Sequence, residues 1–143
     1  MNSKTNLSSH RIQIIREFAA PPPRVFQWWA DAEKLRQWSG CAEAVRCEVK
    51  MDFRVGGAFT QTMQIADICE FTVVGTYTAI RESELIEYDG VYGDVPIHVT
   101  VRFSESAAGT TVELTYDGCP DEFFSANVSR GTGESFDVLQ TLV

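Results

Sequence analysis

Toward the end of the chain, apolar and polar residues alternate with a period of two. Ile97, Val99, Val101 and Phe103 stand against His98, Thr100 and Arg102, and Val112, Leu114 and Tyr116 against Glu113 and Thr115. That period marks strands with one buried and one wet face, and it predicts strands over 96–104 and 110–116. Weaker versions of the pattern predict strands over 43–51, 58–65, 70–80 and 84–91, after a first strand at 10–18 that carries Ile12 and Ile14 on one face. The connections are short and turn-like: Gly56-Gly57, Ala66-Asp67, Arg81-Glu82-Ser83, Gly93-Asp94 and Ala107-Ala108-Gly109. Such a succession is an antiparallel meander with a solvated face.

Two segments break the alternation. After the first strand, Ala19-Ala20-Pro21-Pro22-Pro23 removes three ladder donors and must end it. Proline suits a first helical turn, so a helix is expected from Pro22 or Pro23. Val25, Phe26 and Trp29, then Leu35 and Trp38, follow at helical spacing, with Asp31 placed to cap the second of two short helices. These five residues are expected to form a lid and wall over one end of the sheet. With Trp28, the tryptophans could instead make a stacking platform for an aromatic ligand, although tryptophan is more often core.

The other segment is 121–143, around which the rest is organised. Phe124, Val128, Gly131, Ser135, Leu139 and Leu142 recur every three or four residues, a helical stripe. One helix of this length would reach about 34 Å, enough to cross seven strands, which span roughly 30 Å. Gly131 and Gly133 each cost about 1 kcal/mol relative to Ala in a helix, so a break between two short helices is the alternative. The middle of the stripe, Gly131, Thr132 and Ser135, is small where bulk is expected. Either Phe59, Met63, Phe71 and Tyr77 reach up from the sheet to fill the space, or a cavity remains.

Length and composition narrow the picture. The 143 residues suit one domain, read as 10–143, with a polar segment 1–9 expected to be disordered. No targeting signal and no apolar run of membrane-spanning length is seen. A net charge of −8 argues against nucleic acid and anionic lipid as partners. Cys41, Cys47, Cys69 and Cys119 form no Cys-x-x-Cys pair, so neither zinc nor a disulfide framework is expected, and reduced thiols suit a cytoplasmic protein.

Candidate chemistry is sparse. No nucleophile elbow, phosphate loop, metal motif or cofactor motif occurs. His98 falls opposite Val99 and Val101 and is expected to face solvent; inside a cavity it would be the natural general base, near Tyr88 or Glu70. The carboxylates of Asp117-Gly118-Cys119-Pro120-Asp121-Glu122 read as a turn leading into a helix N-terminus.

Several runs carry a family resemblance: Arg16-Glu17-Phe18-Ala19-Ala20-Pro21, the tract from Val25-Phe26-Gln27-Trp28-Trp29 to Leu35-Arg36-Gln37-Trp38, and Met51-Asp52-Phe53-Arg54-Val55-Gly56-Gly57. Weaker echoes are Val74-Gly75-Thr76-Tyr77, Gly109-Thr110-Thr111-Val112-Glu113-Leu114 and Ser135-Phe136-Asp137-Val138-Leu139. In this order the chain resembles the family named after the activator of heat-shock protein 90 ATPase, within the START-like, or birch-pollen-allergen, superfamily. It departs from the family where a tryptophan and a proline are usual and Ser39 and Cys41 stand. It departs again at Thr132, where the final helix often has a tryptophan. The resemblance implies an α+β helix-grip fold: a seven-stranded, bent antiparallel sheet around the C-terminal helix, with two short helices after the first strand. It also implies a cavity between sheet and helix, but no shared catalytic set.

The expected function is a cytoplasmic, cofactor-free binding module for a small hydrophobic or aromatic molecule. Its expected ligand-binding residues are Trp29, Trp38, Phe59, Met63, Phe71, Tyr77, Tyr88, Thr132, Ser135 and Phe136. Alternatives are a protein-binding module acting on a chaperone, such as heat-shock protein 90, and an enzyme of cyclase or hydrolase type. A homodimer is left open.

Overall fold

In a computed structural model that describes residues 3–7, 10–39, 46–65 and 69–143, the alternating runs pair as one antiparallel sheet. Its strands are β1 (Ser3–Leu7), β2 (Arg11–Phe18), β3 (Arg46–Met51), β4 (Ala58–Ile65), β5 (Cys69–Arg81), β6 (Leu85–Tyr92), β7 (Val95–Ser106) and β8 (Gly109–Asp117), with helices α1 (Pro22–Ala30), α2 (Ala32–Trp38) and α3 (Glu122–Leu142). The sheet order is β1-β2-β8-β7-β6-β5-β4-β3. The meander from β3 to β8 is therefore continuous, and β2 joins it beside β8. The chain crosses from β2 back to β3, near the opposite edge, by way of α1 and α2. This is the helix-grip fold.

The seven expected strands are all present, as β2 to β8. One expectation requires revision and one open alternative is decided. Residues 3–7, within the segment expected to be disordered, pair antiparallel with β2, Thr5 opposite Ile14, and add an eighth strand at the edge. A polar edge strand is joined through its backbone, and hydrophobic periodicity is blind to it. The final segment is one helix of 21 residues with no break at Gly131 to Gly133. The Ala66-Asp67 turn and Cys41 lie outside the described residues.

Local chemistry explains the ends of the elements. Pro22 and Pro23 open α1 without sacrificing a helical hydrogen bond. The Asp31 carboxylate accepts from the backbone N–H groups of Glu33, at 2.9 Å, and Lys34, at 3.3 Å, and caps α2. Asp121 caps α3 by accepting from the Phe124 N–H at 2.8 Å. The turn before it needs Gly118, whose φ of 104° lies in the left-handed region.

The inward apolar residues at the centre of the two cleanest strands are buried: Ile97, Val99, Val101 and Phe103 on β7, and Val112, Leu114 and Tyr116 on β8. Ile12, Ile14 and Phe18 continue this surface on β2, and Phe136 and Leu139 of α3 are fully buried over it. The Arg16 guanidinium donates to the Asp137 carboxylate at 2.6 Å and lies 5.6 Å from the centre of the Phe136 ring. Gln140 donates to the Glu17 carbonyl at 3.2 Å. The second half of α3 is thereby fastened to β2, while its first half stands over the far strands.

Candidate functional site

Where α3 stands away from the far strands, a cavity of about 580 Å³ opens between helix and sheet. Each wall follows from strand alternation. Phe59, Gln61 and Met63 project from β4; Phe71, Val73 and Tyr77 from β5; Ile86, Tyr88 and Tyr92 from β6; and Leu114 and Tyr116 from β8. Trp29 of α1 and Trp38 of α2 close one end, with ring centres 4.7 Å apart. Thr132, Ser135 and Phe136 form part of the roof.

All ten residues expected at the site therefore line one cavity: Trp29, Trp38, Phe59, Met63, Phe71, Tyr77, Tyr88, Thr132, Ser135 and Phe136. The four side chains that could have filled the hole remain in its walls. Phe59 stacks on Tyr88 at 4.7 Å and leans on Tyr77 at 5.2 Å instead of reaching the helix. The five-residue helical cluster divides. Trp29, Leu35 and Trp38 border the cavity, whereas Phe26 packs away from it against Phe53 and Phe103 at 5.8 and 5.3 Å, and Val25 is fully buried.

Ser39 and Thr132 both open onto this cavity. Both are small side chains, and both put a hydroxyl into its wall.

The polar lining includes a cluster that sequence reasoning passed over. The hydroxyls of Tyr88 and Tyr92 are 2.8 Å apart, and the Tyr116 hydroxyl is 3.1 Å from Thr132 Oγ1. The Tyr92 ring packs edge-on against Tyr116, with centres 5.9 Å apart. All four tyrosines of the chain, these three and Tyr77, face the cavity. Burial raises every one of their pKa values above the ordinary phenol value, so they are neutral hydrogen-bonding groups at physiological pH. The signal was present in the alternation: Tyr92 shares the inward face of β6 with Tyr88, and Tyr116 that of β8 with Leu114.

Gln61 donates to Ser39 Oγ and approaches Cys47 Sγ at 3.8 Å. Asn127 and Arg130 of α3 join the lining, where Arg130 pairs with Glu134 at 3.5 Å. Asp121 is the one carboxylate among the described lining residues, and it caps α3.

His98 is on the outer face of the sheet, as its strand parity requires. Its ring nitrogens bond to Asp89 at 2.8 Å and Glu87 at 3.1 Å, and its cross-strand neighbours are Asp89 and Asp117. Asp117 pairs in turn with Arg11 at 2.6 Å. The hydrogen bond to Asp89 raises the His98 pKa, assisted by Glu87 and opposed by partial burial. His98 does not meet Tyr88 or Glu70 in the cavity. Among the described residues no group of three or more His, Cys, Asp or Glu is placed to hold a metal, and no helix is long and apolar enough to cross a membrane.

A bent antiparallel sheet gripping one long helix over a ligand-sized cavity defines a START-like protein, a class that commonly binds hydrophobic ligands. Within that class the chain belongs to the Activator of Hsp90 ATPase homolog 1-like protein family, whose model matches residues 19–143. Protein CV1439 from Chromobacterium violaceum is similar in structure, with a TM-score of 0.84 and 25% identity over 94% of this chain and 97% of that one. Protein Ms6760 from Mycobacterium smegmatis has a TM-score of 0.80 and 20% identity over 100% of this chain and 96% of its own. CalU16 from Micromonospora echinospora has a TM-score of 0.75 and 21% identity over 99% and 85%. No curated protein matches the chain.

Proposed function

We propose that the chain is a cytoplasmic binding module that holds a small hydrophobic or aromatic molecule in the cavity under α3. The observation that carries this reading is the cavity itself. Its volume of about 580 Å³ lies within the roughly 300–1,000 Å³ of small-molecule sites. Its walls are mostly aromatic and aliphatic, with a few convergent hydroxyls, which is the composition of such sites. Binding without turnover fits the lining, because its one described carboxylate is occupied in capping a helix. The free thiols of Cys47 and Cys119 suit a reducing compartment.

The test is to put back the bulk that the chain lacks. Thr132→Trp should preserve the fold, as seen by circular dichroism, and weaken binding of the neutral fluorescent probe N-phenylnaphthylamine at least about tenfold. Unchanged probe affinity in a folded variant would remove the cavity as the binding site.

The family name raises a second reading, a protein module acting on a chaperone ATPase. That role calls for a broad exposed face. Among the described residues the exposed large apolar side chains are Val55, Val74, Val91, Phe123 and Val138, and of these only Val74 and Val91 are cross-strand neighbours. Stimulation of purified heat-shock protein 90 ATPase by this chain, undiminished in Thr132→Trp, would favour the second reading.

A further inference from the structure

We propose that the hydroxyl cluster of Tyr88, Tyr92 and Tyr116 is the docking point for a neutral carbonyl group on the bound molecule. This rests on the cavity-binding reading and specifies the ligand class: an aromatic ketone or similar uncharged carbonyl compound, inserted carbonyl first.

Each hydroxyl has one hydrogen to donate and two lone pairs. Tyr88 with Tyr92 and Tyr116 with Thr132 form two hydroxyl pairs from three elements, brought side by side by the edge-on contact of the Tyr92 and Tyr116 rings. The two links use two of the four hydrogens, so each pair keeps one to donate. A carbonyl oxygen only accepts, so it can take the spare hydrogen of the Tyr88–Tyr92 pair and add a third link. Hydrogen-bonded hydroxyls polarise one another, which strengthens the outer donor.

Charge then narrows the class. Burial keeps the phenols protonated, so the cluster presents dipoles and no net charge. A carboxylate placed against them would lose its hydration without gaining a counterion. The cation in the described lining, Arg130, has a side chain 57% exposed and is paired with Glu134. An ammonium would fare no better, since Asp121 is engaged at the helix cap. An uncharged acceptor suits the site.

The surrounding rings favour an aromatic body behind that carbonyl. Phe59 lies nearly parallel to Tyr88, 19° apart, and Trp38 is 6.0 Å from Phe136. All four rings line the cavity that the hydroxyls enter, so a planar ring behind the carbonyl meets aromatic walls.

The experiment compares three molecules of similar size, naphthalene, acetylnaphthalene and naphthoate, by calorimetry on the full chain. Wild type should bind acetylnaphthalene about five- to tenfold more tightly than naphthalene, the effect of one well-made neutral hydrogen bond. Naphthoate should bind more weakly than the ketone. Tyr88→Phe and Tyr92→Phe should each reduce the ketone preference to about twofold or less while leaving naphthalene affinity in place. Tyr77→Phe, in the same wall but outside the hydroxyl pairs, should retain the preference.

Equal wild-type affinity for ketone and hydrocarbon, or tighter binding of naphthoate, would overturn the proposal and leave the cavity reading standing. A preference that survives in both folded cluster variants would overturn it as well. Failure of all three compounds to bind wild type would overturn the cavity reading and this proposal together. The wild-type comparison alone decides the matter if a variant does not fold.

Discussion

At the scale of single residues, similar chemistry meets different fates according to which face of the sheet it lies on. Trp29 is held between Trp38 at 4.7 Å and Phe103 at 5.1 Å and is 9% exposed. Trp29→Ala should cost roughly 3–5 kcal/mol in denaturant titration, the range for large core truncations; a loss below about 1 kcal/mol would mean that the indole carries no packing. His98, one strand face away, holds two carboxylates in the open. Its folded pKa is raised, chiefly by its hydrogen bond to Asp89. The native state therefore binds the proton more tightly than the unfolded chain. The resulting stabilisation is fully present below the unfolded value of about 6.5 and is lost as pH rises through the folded value. With 38% of the side chain exposed, it should amount to a few tenths of a kcal/mol. His98→Gln should narrow the stability difference between about pH 5.5 and pH 8, with little change at the upper end. A wild-type stability that rises across this window in proportion to the histidine titration would contradict the assignment.

At the scale of elements, α3 and the β4–β5 pair show glycine put to opposite uses. Helix propensity alone leaves the middle of α3 doubtful, because Gly131 and Gly133 weaken it. Both halves are nevertheless anchored, through Phe124 and Val128 on one side and Phe136 and Leu139 on the other. Ser135 also donates to the Gly131 carbonyl at 2.9 Å, within the helix. Tertiary packing outweighs local propensity here, as it does for most helices in proteins. A methyl group at Gly133 would meet nothing within 4 Å. Gly133→Ala should therefore stabilise the protein by about 0.5–1 kcal/mol. At Gly75 the same methyl would lie 2.3 Å from Phe59 Cε1, because the Phe59 ring lies over the bare strand. Gly75→Ala should destabilise by about 1–3 kcal/mol and push Phe59 into the cavity, lowering probe affinity. Equal effects of the two substitutions would show that backbone entropy, not packing, decides both positions.

At the scale of the whole molecule, a cavity wall made from five strands and three helices gives its members a shared response. The four phenols are raised first by burial, so the native state keeps them neutral where the unfolded chain would ionise them. The stability this carries is intact below about pH 10 and is lost as pH rises beyond it. Tyrosinate absorbance should thus appear in one cooperative step with loss of the native circular dichroism signal; ionisation near pH 10 in a folded protein would mean that the cavity is freely hydrated. The six-strand meander with its added β2, the two short helices, the capping of α2 by Asp31 and the outward aspect of His98 could be read in the sequence. Each depends on the period or chemistry of neighbouring residues, which tertiary contacts did not override. The ten candidate cavity residues were legible for the same reason, since strand parity and the small stripe of α3 point them at one another. The continuity of α3 was decided by distant packing, and the pairing of residues 3–7 with β2 by backbone bonds that leave no trace in side-chain pattern. Whether Phe59, Met63, Phe71 and Tyr77 fill the interior or line it depends on sheet curvature and on how far α3 stands off, quantities without a local signal. The hydroxyl pairs Tyr88–Tyr92 and Tyr116–Thr132 come from β6, β8 and α3, and residues so far apart in sequence acquire a common chemistry only when the sheet closes on the helix.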